Sequence, residues 1–173
     1  MPSLVTPRWS SESDRWTALA DALVLVVDPH PATRASMAAM LAGGGARVLQ
    51  AADGEQALEL MRVAAAAGRE LDAVLLDVRS SSVDGWVATR RLRAAPGGTR
   101  NELPLFVLND SDTAYSRQLA ELFGATGLIS TPCSSSALYV ELDEAIDRAR
   151  AERSARRRLA EPVWSGWAAS AAA

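Results

Sequence analysis

The stretches LVLVVD at residues 23–28 and AVLLD at residues 73–77 are short apolar runs that each end in an aspartate. Continuous apolar runs of this length are typical of strands buried on both faces, as in a parallel sheet. The carboxyl ends of parallel strands lie at one edge of the sheet, where ligands bind in open α/β folds. We therefore expect Asp28 and Asp77 to lie together in an acidic pocket.

Outward from these two runs, apolar strands alternate with helical patterns along the chain. Strands are predicted over residues 23–27, 46–50, 72–76, 104–108 and 127–130. Helices are predicted over residues 32–42, 55–66, 85–94 and 112–123, and from residue 134 onward. Five strands with intervening helices predict a three-layer α/β domain, a doubly wound five-stranded parallel sheet, over residues 22–150.

Both ends of the chain extend beyond this domain. Residues 1–21 form an N-terminal extension in which a short helix is predicted to begin near Ser10. The last helix has an inward apolar stripe and is predicted to project beyond the domain as an alanine- and arginine-rich extension. Residues 151–173 hold that extension and a tail that starts at Pro162 and contains Trp164 and Trp167.

The amino-acid composition limits the classes of function that this chain can have. The net charge of −3 and the pI near 5.2 argue against nucleic acid as a partner. Six arginines between Arg148 and Arg158 could bind an acidic partner or a membrane surface, or could form a solvated helix face. A single cysteine and the lack of a signal peptide or membrane-spanning run predict a cytoplasmic protein.

The motifs, taken in order, resemble the receiver domain of two-component response regulators. The resemblance covers residues 22–150 and rests on VLVVD at 24–28, AADGEQAL at 51–58, LLD at 75–77, DG at 84–85, LPLFVL at 103–108, GA at 124–125 and TP at 131–132. It implies a flavodoxin-like receiver fold and a signalling module that is not an enzyme. The implied partner is a histidine kinase or another signalling protein.

The resemblance also implies the site. Asp77 matches the phosphoacceptor, and the family's magnesium ion would be held by Asp77, by the acidic pair that follows the first strand and by the backbone carbonyl of Arg79. Here only Asp28 remains of that pair, because Pro29 replaces the member that usually contacts the metal directly. Magnesium prefers an octahedral set of oxygen ligands and would lose a charged one.

Other positions depart from the family pattern as well. The chain has no lysine, and the lysine that contacts the phosphoryl group aligns with Thr131. The switch hydroxyl aligns with Asn109, the aromatic switch residue aligns with Leu128, and a Met-Pro pair is replaced by Ser80-Ser81. These changes predict a degenerate phosphorylation site, with magnesium binding weak or absent and no cofactor. The favoured function is an atypical (pseudo-)receiver that binds proteins largely independently of phosphorylation.

Two other functions stay open at this point. The first is a functional receiver that is phosphorylated on Asp77 by a histidine kinase or a phosphotransfer protein. The second is a phosphatase of the haloacid dehalogenase type, since Asp28 ends a first strand, but His30 stands where that chemistry needs an acid or a threonine. Family precedent places interfaces on the helices that begin near Ala32, Asp112 and Ser134, and the last helix is the preferred docking or homodimer element.

Two polar residues near the predicted pocket have alternative roles. His30, the only histidine, is either a proton or metal partner in the pocket or a loop residue exposed to water. Asn109 either donates an amide hydrogen bond to Asp77 or is an ordinary turn residue.

Overall fold

The computed structural model describes residues 16–78, 84–95 and 103–160. One parallel sheet has the strand order β2-β1-β3-β4-β5. The strands are β1 Leu23–Val27, β2 Arg47–Ala51, β3 Ala73–Asp77, β4 Leu105–Asn109 and β5 Gly127–Ser130. The helices are α1 Pro31–Gly43, α2 Gly54–Ala66, α3 Asp84–Ala94, α4 Ala114–Phe123 and α5 Ser135–Ala160. The predicted doubly wound α/β architecture is confirmed.

The central strands are apolar throughout because both faces of the sheet are covered. In β1, Val24 and Val26 belong to the core on the side of α1 and α5, where Leu142 is fully buried. Leu25 and Val27 belong to the core on the side of α2, α3 and α4. Alternate side chains of a strand point to opposite faces, so one apolar run supplies both cores.

Several boundaries differ from the prediction by one or two residues. The strands predicted over 46–50, 72–76 and 104–108 each lie one residue later, so Asp77 and Asn109 are the last residues of their strands. Helix α4 begins at Ala114 because Thr113 caps it, accepting a hydrogen bond from the Ser116 N–H at 3.1 Å. Asp112, predicted as its first residue, lies before the cap.

The described part of the N-terminal extension is not helical. Residues 17–21 form turns, and residues 1–15, including Ser10, lie outside the described residues. Asp143 of α5 accepts hydrogen bonds from the N–H groups of Ala18 and Leu19, both at 2.8 Å. The Trp16 ring packs edge-on against Tyr139, with ring centroids 6.0 Å apart. The segment from residue 16 to 21 is therefore fixed to α5.

The long C-terminal helix is confirmed, but its extension does not simply project from the domain. Its inward stripe is the predicted one: Leu138, Leu142, Ala145, Ile146 and Ala149. Beyond it, Arg150, Arg153 and Arg157 contact the segment 70–72 that leads into β3. Trp164 and Trp167 lie outside the described residues. Within the described ranges, no helix combines the length and apolarity needed to cross a membrane.

Candidate functional site

Asp28 and Asp77 lie at the carboxyl-terminal edge of the sheet, on neighbouring strands. Asp28 follows β1 and Asp77 ends β3, and the two strands pair with Val27 opposite Leu76. Both carboxylates are buried, with Asp28 1% and Asp77 4% exposed. They lie where the connections leaving β1 and β3 diverge, which is the usual ligand position in doubly wound sheets.

A pocket of about 400 Å³ opens at this edge. Its walls come from the ends of β1 and β3, the turn into α2 and the start of α3: Val27, Pro29, His30, Ala52, Asp53, Gly54, Leu76, Asp77, Gly85 and Ala88. Asp77 therefore lines the pocket, whereas Asp28, predicted to share it, lies next to these walls and is not one of them. Arg79, Ser80 and Ser81 lie outside the described residues, so the backbone carbonyl predicted as a metal ligand is not placed.

The loop after β1 is fixed by Asp28. One carboxylate oxygen, Oδ1, accepts a hydrogen bond from the His30 N–H at 2.7 Å. The Asp28 N–H donates to the Ala51 carbonyl at 3.1 Å, and the Arg34 guanidinium donates to the Asp28 carbonyl. Arg34 of α1 thereby helps to hold the chain where it leaves β1.

His30 is exposed to water, as one of its two predicted roles requires, and its ring lies close to Asp28. Its side chain is 63% exposed, yet Nδ1 lies 3.4 Å from Asp28 Oδ1. One potential ligand atom each from Asp28, His30 and Asp77 lie within 4.8 Å of one another. The imidazole therefore stands at the pocket mouth beside both buried carboxylates.

The opposite wall of the pocket is the capped start of α2. Asp53 Oδ1 accepts from the Gln56 N–H at 2.8 Å, and Gln56 Oε1 accepts from the Ala52 N–H at 2.6 Å. This reciprocal pair satisfies N–H groups at the helix start. A Cβ on Gly54 would lie 2.8 Å from the Cβ of Ala88, so glycine lets α2 and α3 approach closely.

Hydrogen bonds tie Thr131 to Asn109 and Asn109 to the loop that leads into α4. The Asn109 Nδ2 group donates to the Ser111 carbonyl at 3.0 Å and to Ser116 Oγ at 3.3 Å. The Thr131 N–H and hydroxyl both donate to the Asn109 carbonyl, at 2.8 and 3.3 Å. Both amide hydrogens of Asn109 thus serve the loop into α4, which favours the turn role over a bond to Asp77. Leu128 packs, half-buried, against the core on the α4 side.

A cluster of one buried aspartate and two arginines, which the sequence analysis did not identify, lies at the opposite edge of the sheet. Asp72 precedes β3 and accepts from the Leu23 N–H at 2.9 Å, Arg150 Nε at 2.9 Å and Arg153 Nη2 at 3.0 Å. Burial alone raises the pKa of Asp72, but the bonds from Arg150, Leu23 and Arg153 outweigh it and hold that pKa below 3.8. The available signal was the helical spacing of Arg150, Arg153 and Arg157.

Comparison with known proteins agrees with this geometry. The family model described as "Response regulator receiver domain" matches residues 24–143. Response regulator MprA of Mycobacterium tuberculosis H37Rv is 31% identical over 132 residues, 76% of this chain and 54% of the relative. MprA of Mycobacterium sp. KMS is 34% identical over 119 residues, 69% and 48% of the two chains. The chain spans about half the length of these curated relatives.

Solved structures agree as well. Vibrio cholerae chemotaxis protein CheY4 has a TM-score of 0.63 at 25% identity, covering 73% of this chain and 99% of its own. The receiver domain of the Pseudomonas aeruginosa sensor histidine kinase PA1611 has a TM-score of 0.61 at 29% identity, covering 74% and 99%. That receiver domain holds a magnesium ion in its active site cleft.

Proposed function

The chain belongs to the response regulator receiver domain family, and from that premise we propose that it is a pseudo-receiver of two-component signalling. It binds other signalling proteins largely independently of phosphorylation and catalyses no reaction of its own. The observation that carries the proposal is the chemistry of the pocket. Two buried carboxylates are retained, whereas Pro29 and Thr131 stand where the family has an acid and a lysine.

Magnesium, which the family implies, does not fit this donor set well. The described acidic and imidazole side chains that come within 4.8 Å of one another are those of Asp28, Asp77 and His30. Mg²⁺ takes oxygen ligands in near-ideal octahedral geometry, and imidazole suits other metals. Pro29 is exposed at the pocket and supplies no side-chain donor.

The loops that would respond to a phosphoryl group are held by bonds among themselves. In the family, the residues matching Asn109 and Thr131 follow or contact the phosphoryl group. Here the Thr131 hydroxyl donates to the Asn109 carbonyl, and the Asn109 amide donates within the loop into α4. These bonds need no phosphate, which supports a receiver held in one state.

Docking is proposed on α4 rather than on the N-terminal side of α5. Trp16 and Leu19 of the chain's own N-terminal segment already pack against α5 or the core beneath it. On α4, Tyr115 and Leu122 are 69% and 73% exposed and lie two helical turns apart on one face. An apolar stripe of this kind suits a histidine kinase or another signalling protein that presents a complementary helix.

Self-association is proposed through the outer face of α5. Its first half exposes Glu141, Glu144 and Asp147, whereas Arg158 is exposed near its C-terminal end. An antiparallel pair of α5 helices centred on Ala151 would place Glu144 of one copy opposite Arg158 of the other, twice. In sedimentation, Glu144→Arg and Arg158→Glu should each weaken the dimer and the combined swap should restore it. An unchanged monomer in all four proteins would exclude this pairing.

A functional phosphoacceptor is the second candidate, favoured by the burial of both Asp28 and Asp77 at the family's position. A labelling assay with a small phosphoryl donor and Mg²⁺ separates the two candidates, with the magnesium-binding PA1611 receiver domain labelled in parallel for comparison. The proposal expects no label above that of Asp77→Asn. Stable label on the native chain that Asp77→Asn abolishes would establish the second candidate instead.

A further inference from the structure

A second cavity of about 400 Å³ lies between α1 and the loop that leads from β5 into α5. Three of the side chains that line it carry sulfur: Met37 and Met40 of α1, and Cys133, which precedes α5. Thiolate and thioether ligands select soft metal ions such as Cu⁺. We infer that Met37, Met40 and Cys133 bind a monovalent soft metal ion of the Cu⁺ and Ag⁺ class through two thioethers and one thiolate.

The geometry of α1 places the two methionines side by side. Met37 and Met40 are three positions apart, so their side chains are neighbours on one face of the helix. Met37 belongs to the core on the side of α1 and α5, and Met40 and Cys133 pack against that same core. A methionine side chain is unbranched and has three rotatable bonds, so its sulfur can adjust its position toward an ion. The fold therefore gathers three sulfur donors around one cavity.

The donors are sheltered but can be reached from solvent. Met37 is buried, whereas Met40 and Cys133 are only partly buried, which gives an ion a route of entry. Burial raises the pKa of the Cys133 thiol, so the thiol carries its proton near neutral pH. The metal ion replaces that proton, which passes to the buffer as the metal–sulfur bond forms.

The surroundings of Cys133 favour Cu⁺ over Zn²⁺. Structural Zn²⁺ takes four ligands drawn from cysteine, histidine and carboxylate side chains. Among the described residues, Cys133 joins no cluster of three such side chains. The cavity supplies thioethers instead, and these are ligands that Cu⁺ accepts.

The sulfur-lined cavity is separate from the pocket of Asp77. The two share no lining residue. The inference therefore does not depend on how the chain signals, because soft-metal binding and phosphorylation of Asp77 are measured separately.

Transfer of Cu⁺ under argon from its coloured bicinchoninate complex to the protein tests the inference, since the loss of absorbance measures the copper taken. We expect the native chain to take one ion. Cys133→Ser and Met40→Leu, which change side-chain size little and whose folding circular dichroism checks, should each weaken Cu⁺ binding at least about tenfold. The matched control is Met61→Leu, in the core on the other side of the sheet, which should bind as the native chain does.

A second measurement uses the native protein and needs no change in the cavity. The methionine methyl groups are labelled with ¹³C, and their NMR resonances are assigned by replacing each methionine with leucine in turn. One equivalent of Ag⁺ should shift the resonances of Met37 and Met40 and leave that of Met61 in place.

Three results would overturn the inference. The first is native protein that takes no Cu⁺ from the complex. The second is equal Cu⁺ affinity in the native chain and in Cys133→Ser, which would place the ion elsewhere. The third is methyl resonances of Met37 and Met40 that stay in place when Ag⁺ binds, which would leave Cys133 as a thiol without thioether partners.

Discussion

The two edges of the sheet hold buried aspartates in opposite surroundings. At the amino-terminal edge, Asp72 joins the start of β1 to α5 through the Leu23 N–H and two arginines. At the carboxyl-terminal edge, Asp77 and the imidazole of His30 line an open pocket, and the buried Asp28 lies next to them. The first carboxylate is committed to the architecture of the domain, whereas Asp77 lines a pocket that is open to solvent.

The contacts of these buried aspartates distinguish an acid that stabilises the fold from one that could act on a ligand. A buried carboxylate is stable when cations and N–H groups surround it, and breaking such a cluster leaves unpaired charges. Function requires the opposite, an acid that a ligand can reach. The arginine-rich extension of α5, which by sequence alone could serve an outside partner, supplies the cations for Asp72 instead.

The largest expected effect is at the amino-terminal edge. Asp72→Ala would leave Arg150, Arg153 and the Leu23 N–H without their common acceptor, and we expect a loss of about 2–4 kcal/mol in the free energy of unfolding. Urea denaturation measures it. The matched control is Glu59→Ala, which breaks the exposed pair with Arg62 and should cost less than about 0.5 kcal/mol. Equal losses in both variants would refute the structural role of Asp72.

The lowered pKa of Asp72 predicts an acid-dependent loss of the same stabilisation. A carboxyl with a depressed folded-state pKa stabilises the fold fully above its unfolded value, 3.8 here, and loses that contribution as the pH falls through the folded pKa. The difference in unfolding free energy between the native protein and Asp72→Asn should be constant near neutrality and shrink below pH 3.8. A difference that grows as the pH falls would contradict the direction of the shift.

A smaller effect is expected in the pocket. Asp77→Asn removes one of two neighbouring carboxylates, so the relief of like-charge repulsion opposes the loss of the contacts that Asp77 makes. We expect the free energy of unfolding to change by no more than about 1 kcal/mol in either direction. Differential scanning calorimetry beside Asp72→Ala measures it. A loss as large as that of Asp72→Ala would make Asp77 a structural acid too.

The smallest effect belongs to the outer end of the arginine extension. Arg157 pairs with Glu70 where both side chains are exposed, so Arg157→Ala should cost less than about 0.5 kcal/mol. Arg153→Ala, whose side chain is only 13% exposed, should cost clearly more when both are compared by urea denaturation. Equal costs would mean that the extension acts as one unit rather than through its buried end.

Much of the fold was predictable because its signals are local. Apolar runs placed all five strands within one residue, and the stripe from Leu138 to Ala149 gave the buried face of α5. The α4 start was missed by two residues because Thr113, not Asp112, supplies the capping oxygen. Asp28 and Asp77 were found because the carboxyl ends of parallel strands meet at one edge.

The rest depended on contacts between distant residues. The Asp72 cluster joins residues 78 and 81 positions apart in the chain, and nothing local in the sequence pairs them. The contacts of Asn109 could not be predicted either, because they depend on the position of the loop that leads into α4. The proximity of His30 to Asp28 could not be predicted, because an exposed histidine is typical of an ordinary loop residue.

Restoring the missing charges is the most direct test of the central claim, that the pocket keeps its acids but lacks the groups needed for phosphorylation. The measurement is Mg²⁺-dependent labelling by a small phosphoryl donor of the native chain and of the combined variant Pro29→Asp with Thr131→Lys. We predict label on Asp77 only in the combined variant, lost again when Asp77→Asn is added. Native protein that labels as strongly as the combined variant would contradict the account.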